Sequence, residues 1–278
     1  MARYPYRDLR PPAEASEVFC RWLRHLDEEF TRHKEPRLRA EIVRDALHQI
    51  YLGRPHGGKL NSNLITEIPG SVLQLSLDPL NVTLEAEYYG DIDAARYAER
   101  KPLIWFWLMF DRSLLGMNQW LGFRLRRMLG RHIFKSIGKN VKIFQSVEFT
   151  FGYNLTIEED CVIHRNVTLD DRGELILRRG TSVSDYAAIY SHRQSASDSL
   201  DVENRATEIG PNARLTYHSS VMAGVRVGED AMLGAMGLAT RDLPDHAIRG
   251  GVPAREIKKK RAVAAPAGTP EDSENKPG

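Results

Sequence analysis

Three histidines, His164, His192 and His218, stand in the second half of this 278-residue chain among residues suited to proton transfer. Imidazole has an ordinary pKa near 6.5, so it can both take and return a proton around neutrality. His192 lies in a polar, charged stretch from Ser191 to about Thr207 that no core demand explains, and loops thrown from a rigid scaffold commonly carry function. His164 opens the run His164-Arg-Asn-Val-Thr-Leu-Asp-Asp-Arg172, where Asn166, Asp170 and Asp171 could hydrogen-bond a hydroxyl or orient a base. Asn and Asp are equally expected at tight corners. His218 lies in Leu215-Thr-Tyr-His-Ser-Ser-Val221. The three histidines together could hold zinc, but no close ligand spacing joins them, and no metal is expected.

The scaffold beneath these residues is a repeat. Apolar residues return every sixth position at Ile137, Ile143, Phe149 and Leu155, and after a slip of two at Ile157, Ile163, Leu169 and Leu175. A second slip leads to Leu177, Val183 and Ile189; beyond the polar stretch come Ile209, Leu215, Val221, Val227, Leu233 and Ala239. Four residues after many of these sits a small or short side chain, such as Val141, Cys161, Thr181, Ala213 or Gly237. A period of six fits neither an α-helix nor a two-faced strand; it fits a parallel β-helix with one short strand per hexapeptide. Each coil then buries its aliphatic residues on its neighbours.

The closing run Gly234-Ala-Met-Gly-Leu-Ala-Thr-Arg-Asp242, followed by Gly251-Val-Pro-Ala-Arg255, adds a specific signature. With the repeat, it resembles the hexapeptide-repeat acyltransferases, and among them the sugar O-acetyltransferases. The resemblance covers a little under half of the chain. It implies a left-handed coil, a homotrimer, and transfer of an acyl group, most often acetyl, from coenzyme A to a hydroxyl of a sugar or glycoconjugate. It implies a histidine general base just after the strand ending Ile189-Tyr190. In register that position is Gln194, which has no titratable group. His192, two residues earlier, points the same way if the chain is extended, and is the expected base. Gln194, Asn166, Asp170, Asp171 and His218 are the residues expected near the substrate. Carry-over places Ala235 and Thr240 along the pantetheine arm and Arg241 and Arg255 near the nucleotide phosphates; guanidinium forks suit phosphate. A non-catalytic coil that binds a ligand or assembles subunits is the alternative, with Gln194 as the mark of lost chemistry.

The expected organisation is an N-terminal helical and small β region over 1–100, an aromatic and basic helical connector over 101–136, the β-helix over 137–257 and a disordered tail over 258–278. Helices are expected from Ser16, over 37–52 and from near Asp93. Two half-buried strands are expected at Leu73, Leu75, Leu77 and at Val82, Leu84, Ala86, Tyr88. Gly53-Arg-Pro-His-Gly-Gly58-Lys59 begins like a phosphate loop, but Leu60 replaces the metal-binding hydroxyl, so no nucleotide is expected there. Leu103 to Phe110 is apolar over eight residues, far short of a bilayer span. With the arginines that follow, this stretch could dock on an anionic membrane; the preferred reading packs it on the base of the coil or in a trimer contact with its arginines in solvent. A formal charge of +2 gives no bulk field for nucleic acid. Two cysteines and no secretory leader pattern point to the cytoplasm.

Overall fold

The structure, a computed structural model, describes residues 7, 10–57, 68–198 and 201–259. From Ser136 onward the chain winds as a parallel β-solenoid of about six turns. Two-residue and three-residue strands stack into three faces. The first face pairs Ile137 with Ile157, Ile157 with Leu177, Leu177 with Ile209 and Ile209 with Val227. The second stacks Ile143, Ile163, Val183, Leu215 and Leu233. The third stacks Phe149, Leu169, Ile189, Val221 and Ala239. These are the residues of the six-residue series. From Leu155 to Leu233 every aliphatic member of it is buried. Both two-residue slips fall on three-residue strands of the first face, Leu155–Ile157 and Leu175–Leu177.

Corners turn through residues with positive φ, including Asn140, Asp160, Asn166, Asn212, His218 and Asp230. Asn and Asp tolerate this left-handed region better than most side chains. The small residue after each such corner, Val141, Cys161, Val167, Ala213 or Ala231, is buried. Burial pushes the Cys161 thiol up to about 12, so it packs as a small apolar group.

Among the described residues six α-helices precede the coil: α1 (Ala13–Arg32), α2 (Pro36–Leu52), α3 (Ile68–Ser76), α4 (Ala94–Ala98), α5 (Lys101–Arg112) and α6 (Gln119–Ile133). The two strands expected between residues 73 and 88 do not form; α3 and the 3₁₀ turns Pro79–Asn81 and Glu85–Tyr88 take their place. Short alternating runs carry little information on period. Here Asp78 accepts a bond from the Leu80 N–H and Pro79 opens the first turn, which favours a tight turn over extended chain. Gly53, first of the loop-like glycines, closes α2 at φ 65°; Gly58, Lys59 and Leu60 lie outside the described residues, as does the tail beyond Lys259.

The expected helical connector over 101–136 contains two helices, α5 and α6, separated by a 3₁₀ turn. Their apolar residues share one core with the coil. Trp107, Phe134 and Phe149 meet edge to face with centroids 4.9–5.8 Å apart, and Trp107 Nε1 donates to the carbonyl of Val147 at 3.1 Å. The first coil is thereby covered, as an end of a solenoid must be. One arginine departs from the expected solvent exposure. Arg126 is fully buried, donating to Asp111 Oδ1 from Nη2 at 2.6 Å and from Nε at 2.8 Å, and to the carbonyls of Ile143 and Gly116. Among the described residues no helix is long and apolar enough to cross a membrane.

Candidate active site

The polar stretch after Ile189 leaves the third face as an antiparallel hairpin, His192–Gln194 paired with Val202–Asn204. Its base is pinned to the coil. Arg205 N–H donates to the Ser191 carbonyl at 2.7 Å, and Thr207 Oγ1 donates to the Tyr190 carbonyl at 2.7 Å. Ser191 Oγ donates to the Asp170 carbonyl at 2.6 Å and accepts from Gly173 N–H at 2.8 Å. A Cβ on Gly173 would come within 2.6 Å of the Ser191 carbonyl, so only glycine lets the hairpin approach this closely.

Asp170, one coil below His192 and 5% exposed, organises the site. Its Oδ2 accepts from the backbone N–H groups of Ser191 at 2.9 Å and His192 at 3.2 Å and lies 2.6 Å from His192 Nδ1. Its Oδ1 accepts from Thr150 Oγ1 and from Arg172 N–H, both at 3.3 Å. A carboxylate on Nδ1 fixes the tautomer that leaves Nε2 with its lone pair. His192 is half-buried, and as Gln194 follows two residues on in the same strand, both side chains lie on one side of the hairpin.

The neighbouring Asp171 points inward. Fully buried, it accepts from the backbone N–H groups of Thr150, Phe151 and Asn154 at 2.8–3.2 Å. Burial raises its pKa to about 6 against the pull of those bonds. Asn166 and His218 occupy left-handed corners at φ 55°, and His218 stacks on Tyr186 with centroids 4.8 Å apart. Among the described residues neither one hydrogen-bonds to the His192 hairpin. His164 likewise stacks on Phe144 at 4.8 Å on the second face. Among the described residues no group of three or more His, Cys, Asp or Glu side chains comes together as a metal site.

Sequence reasoning missed the partner that the helical region supplies. Asp91 accepts a two-pronged bond from Arg172, at 3.1 and 2.8 Å, and a third from Asn204 Nδ2 at 3.0 Å. The Arg172 guanidinium also lies 4.3 Å from the Tyr89 ring centre. A segment with no periodic signal thus reaches the hairpin beside His192. The only hint was Arg172 itself, charged and directly after two aspartates.

At the far end of the coil, Thr240, Arg241 and Arg255 line one open cavity of about 690 Å³ with Arg249, Asp242 and Ala254. The exit strand Arg255–Lys259 folds back antiparallel on Ala247–Gly250 and so brings Arg255 to Arg241. Ala235 sits on an exposed corner after the strand Met232–Leu233 and does not line this cavity.

No family model matches the chain. Over 142 residues, 48% of this chain and 68% of its counterpart, the sequence is 25% identical to galactoside O-acetyltransferase of Escherichia coli strain K12. A maltose O-acetyltransferase from Clostridium difficile 630 superposes with a TM-score of 0.53 and 20% identity, covering 62% of this chain and 91% of that one. A galactoside acetyltransferase in complex with coenzyme A superposes at 0.50 with 19% identity, covering 62% and 84%. The solenoid is the left-handed β-helix of this group. In fold and in sequence the chain is similar to the class of hexapeptide-repeat acetyltransferases. Within that class the similarity runs to enzymes named for sugar O-acetylation.

Proposed function

We propose that the chain moves an acyl group, acetyl in the simplest case, from coenzyme A to a hydroxyl of a sugar or glycoconjugate, with His192 as general base. The observation that carries this reading is the 2.6 Å contact between His192 Nδ1 and the buried Asp170, which orients an imidazole beside a coil whose relatives acetylate sugars. Nε2 takes the proton of the acceptor hydroxyl as its oxygen attacks the thioester carbonyl. The tetrahedral intermediate collapses, the C–S bond breaks, and the imidazolium returns the proton to the departing thiolate. Asp170 holds the tautomer and offsets the imidazolium charge. Gln194, on the same side of the hairpin, is suited to hydrogen-bond an acceptor hydroxyl, with no part in proton transfer.

The donor reading places the nucleotide phosphates at Arg241 and Arg255 and the pantetheine arm past Thr240 and Ala235. In its support, the cavity at the end of the coil gathers three arginines, Arg241, Arg249 and Arg255, and a related structure holds coenzyme A. We further propose a homotrimer working in the cytoplasm. Tyr186, Tyr217 and Met236 are exposed at one corner of successive coils, an apolar stripe that a second copy would cover. The deciding test is acetyl transfer from acetyl-coenzyme A to a panel of sugars by wild type and His192→Ala. Transfer by the wild type with turnover in the variant unchanged removes His192 as base.

A further inference from the structure

A second cavity, of about 540 Å³, lies between α6 and the first two coils, and it shares no residue with the one at Arg241 and Arg255. That volume is in the range of small-molecule sites. One wall is a single face of α6, where Trp120, Phe123, Arg124 and Arg127 recur at helical spacing. The other wall is the second face of the coil, where Lys142 pairs in register with Val162 and Phe144 stands below His164.

The apolar part of this cavity is a continuous aromatic ladder. Phe123 meets Phe144 edge to face at 4.8 Å, and Phe144 stacks flat on His164 at 4.8 Å with an 11° tilt. Burial lowers the pKa of His164, so its ring extends the ladder as a neutral surface. The polar part is cationic. Arg124 lies over the Trp120 ring at 3.7 Å, while Arg127 and Lys142 are half-buried and have no ion-pair partner among the described residues. Among the described residues no carboxylate lines the cavity. Arg127 and Lys142, half-buried beside an aromatic wall, complement an anion that carries an apolar body.

We propose that this cavity binds a small amphipathic organic anion, its ring or short chain against Phe123, Phe144 and Val162 and its phosphate, sulfonate or carboxylate between Arg127 and Lys142. The inference is independent of the transferase reading, because none of its residues belongs to the His192 site.

Anilinonaphthalene sulfonate, an aromatic ring system bearing one sulfonate, tests it by fluorescence titration of the full chain. One saturable site per chain is expected, weakened at least tenfold in the Arg127→Gln/Lys142→Gln double variant. Val162→Phe, which fills the apolar end, is expected to weaken it as well while leaving both cations in place. Octyl phosphate and phenyl phosphate are expected to displace the probe, and their relative strength tells a chain from a ring. Displacement by coenzyme A, equal displacement by inorganic phosphate, or binding that both variants leave unchanged would overturn the proposal. Melting curves of both variants keep a folding defect apart from a binding defect, and either variant alone, if folded, decides the question.

Discussion

Asp111, where α5 meets the first coil, and Asp170, beneath the hairpin, are both nearly buried carboxylates paired with a basic side chain, yet they do opposite work. Asp111 is closed on all sides: Arg126 takes one oxygen with two bonds and Ser146 N–H takes the other at 2.8 Å. Burial raises its pKa against the pull of Arg126, and the pair has nothing left to offer a ligand. Asp170 meets His192 with backbone bonds around it, but the imidazole it holds keeps a second nitrogen for other chemistry. The difference teaches that a buried carboxylate becomes a lock or a tool according to whether its partner has a spare polar atom.

The largest effect is expected at the tool. His192→Ala should lower kcat by about 10²–10⁴-fold, roughly 3–5 kcal/mol of barrier, with little change in melting temperature, measured by acetyl transfer beside thermal unfolding. The lock should answer in the reverse way. Arg126→Ala leaves Asp111 buried without its partner and should cost about 3–5 kcal/mol of stability in denaturant unfolding, with turnover per folded molecule preserved. Loss of activity without loss of stability there would erase the distinction.

Asp171, a third buried carboxylate, sharpens the comparison through pH. Its folded pKa of about 6 lies above the ordinary 3.8. The folded state therefore holds the proton more tightly than the unfolded one, and stability falls as pH rises from about 4 to about 6. The span corresponds to something on the order of 3 kcal/mol. Unfolding free energies between pH 4 and 7 should show this fall in the wild type and lose it in Asp171→Asn. The smallest effect concerns thiols. Exposed Cys20 should react with an aromatic disulfide reagent in the native state, while Cys161, buried with its thiol pushed up to about 12, should react only on unfolding.

Much of the coil was legible because a solenoid is nearly one-dimensional. Each interior residue contacts its own counterpart one turn along, so a fixed sequence period is the whole instruction. That is why Ile163, Val183 and Leu215, read from spacing alone, stack in one face. The hairpin that carries His192 was legible for a related reason, as a polar interruption in an otherwise regular series. The alternating leucines near residue 75 carried no such redundancy, and they formed a helix.

The sequence by itself determined the period, the strands, the corners and the place where the chain leaves the coil. Only the tertiary structure decided that Asp170 faces His192 while Asp171 turns inward, since adjacent residues differ there by the direction of one side chain. The same holds for Arg126, whose neighbours Arg124 and Arg127 line an open cavity while it is buried against Asp111. Asp91 reaches Arg172 and Asn204 across 81 and 113 residues of chain. Such contacts are chosen by where packed surfaces meet, and no local pattern of residue types encodes that.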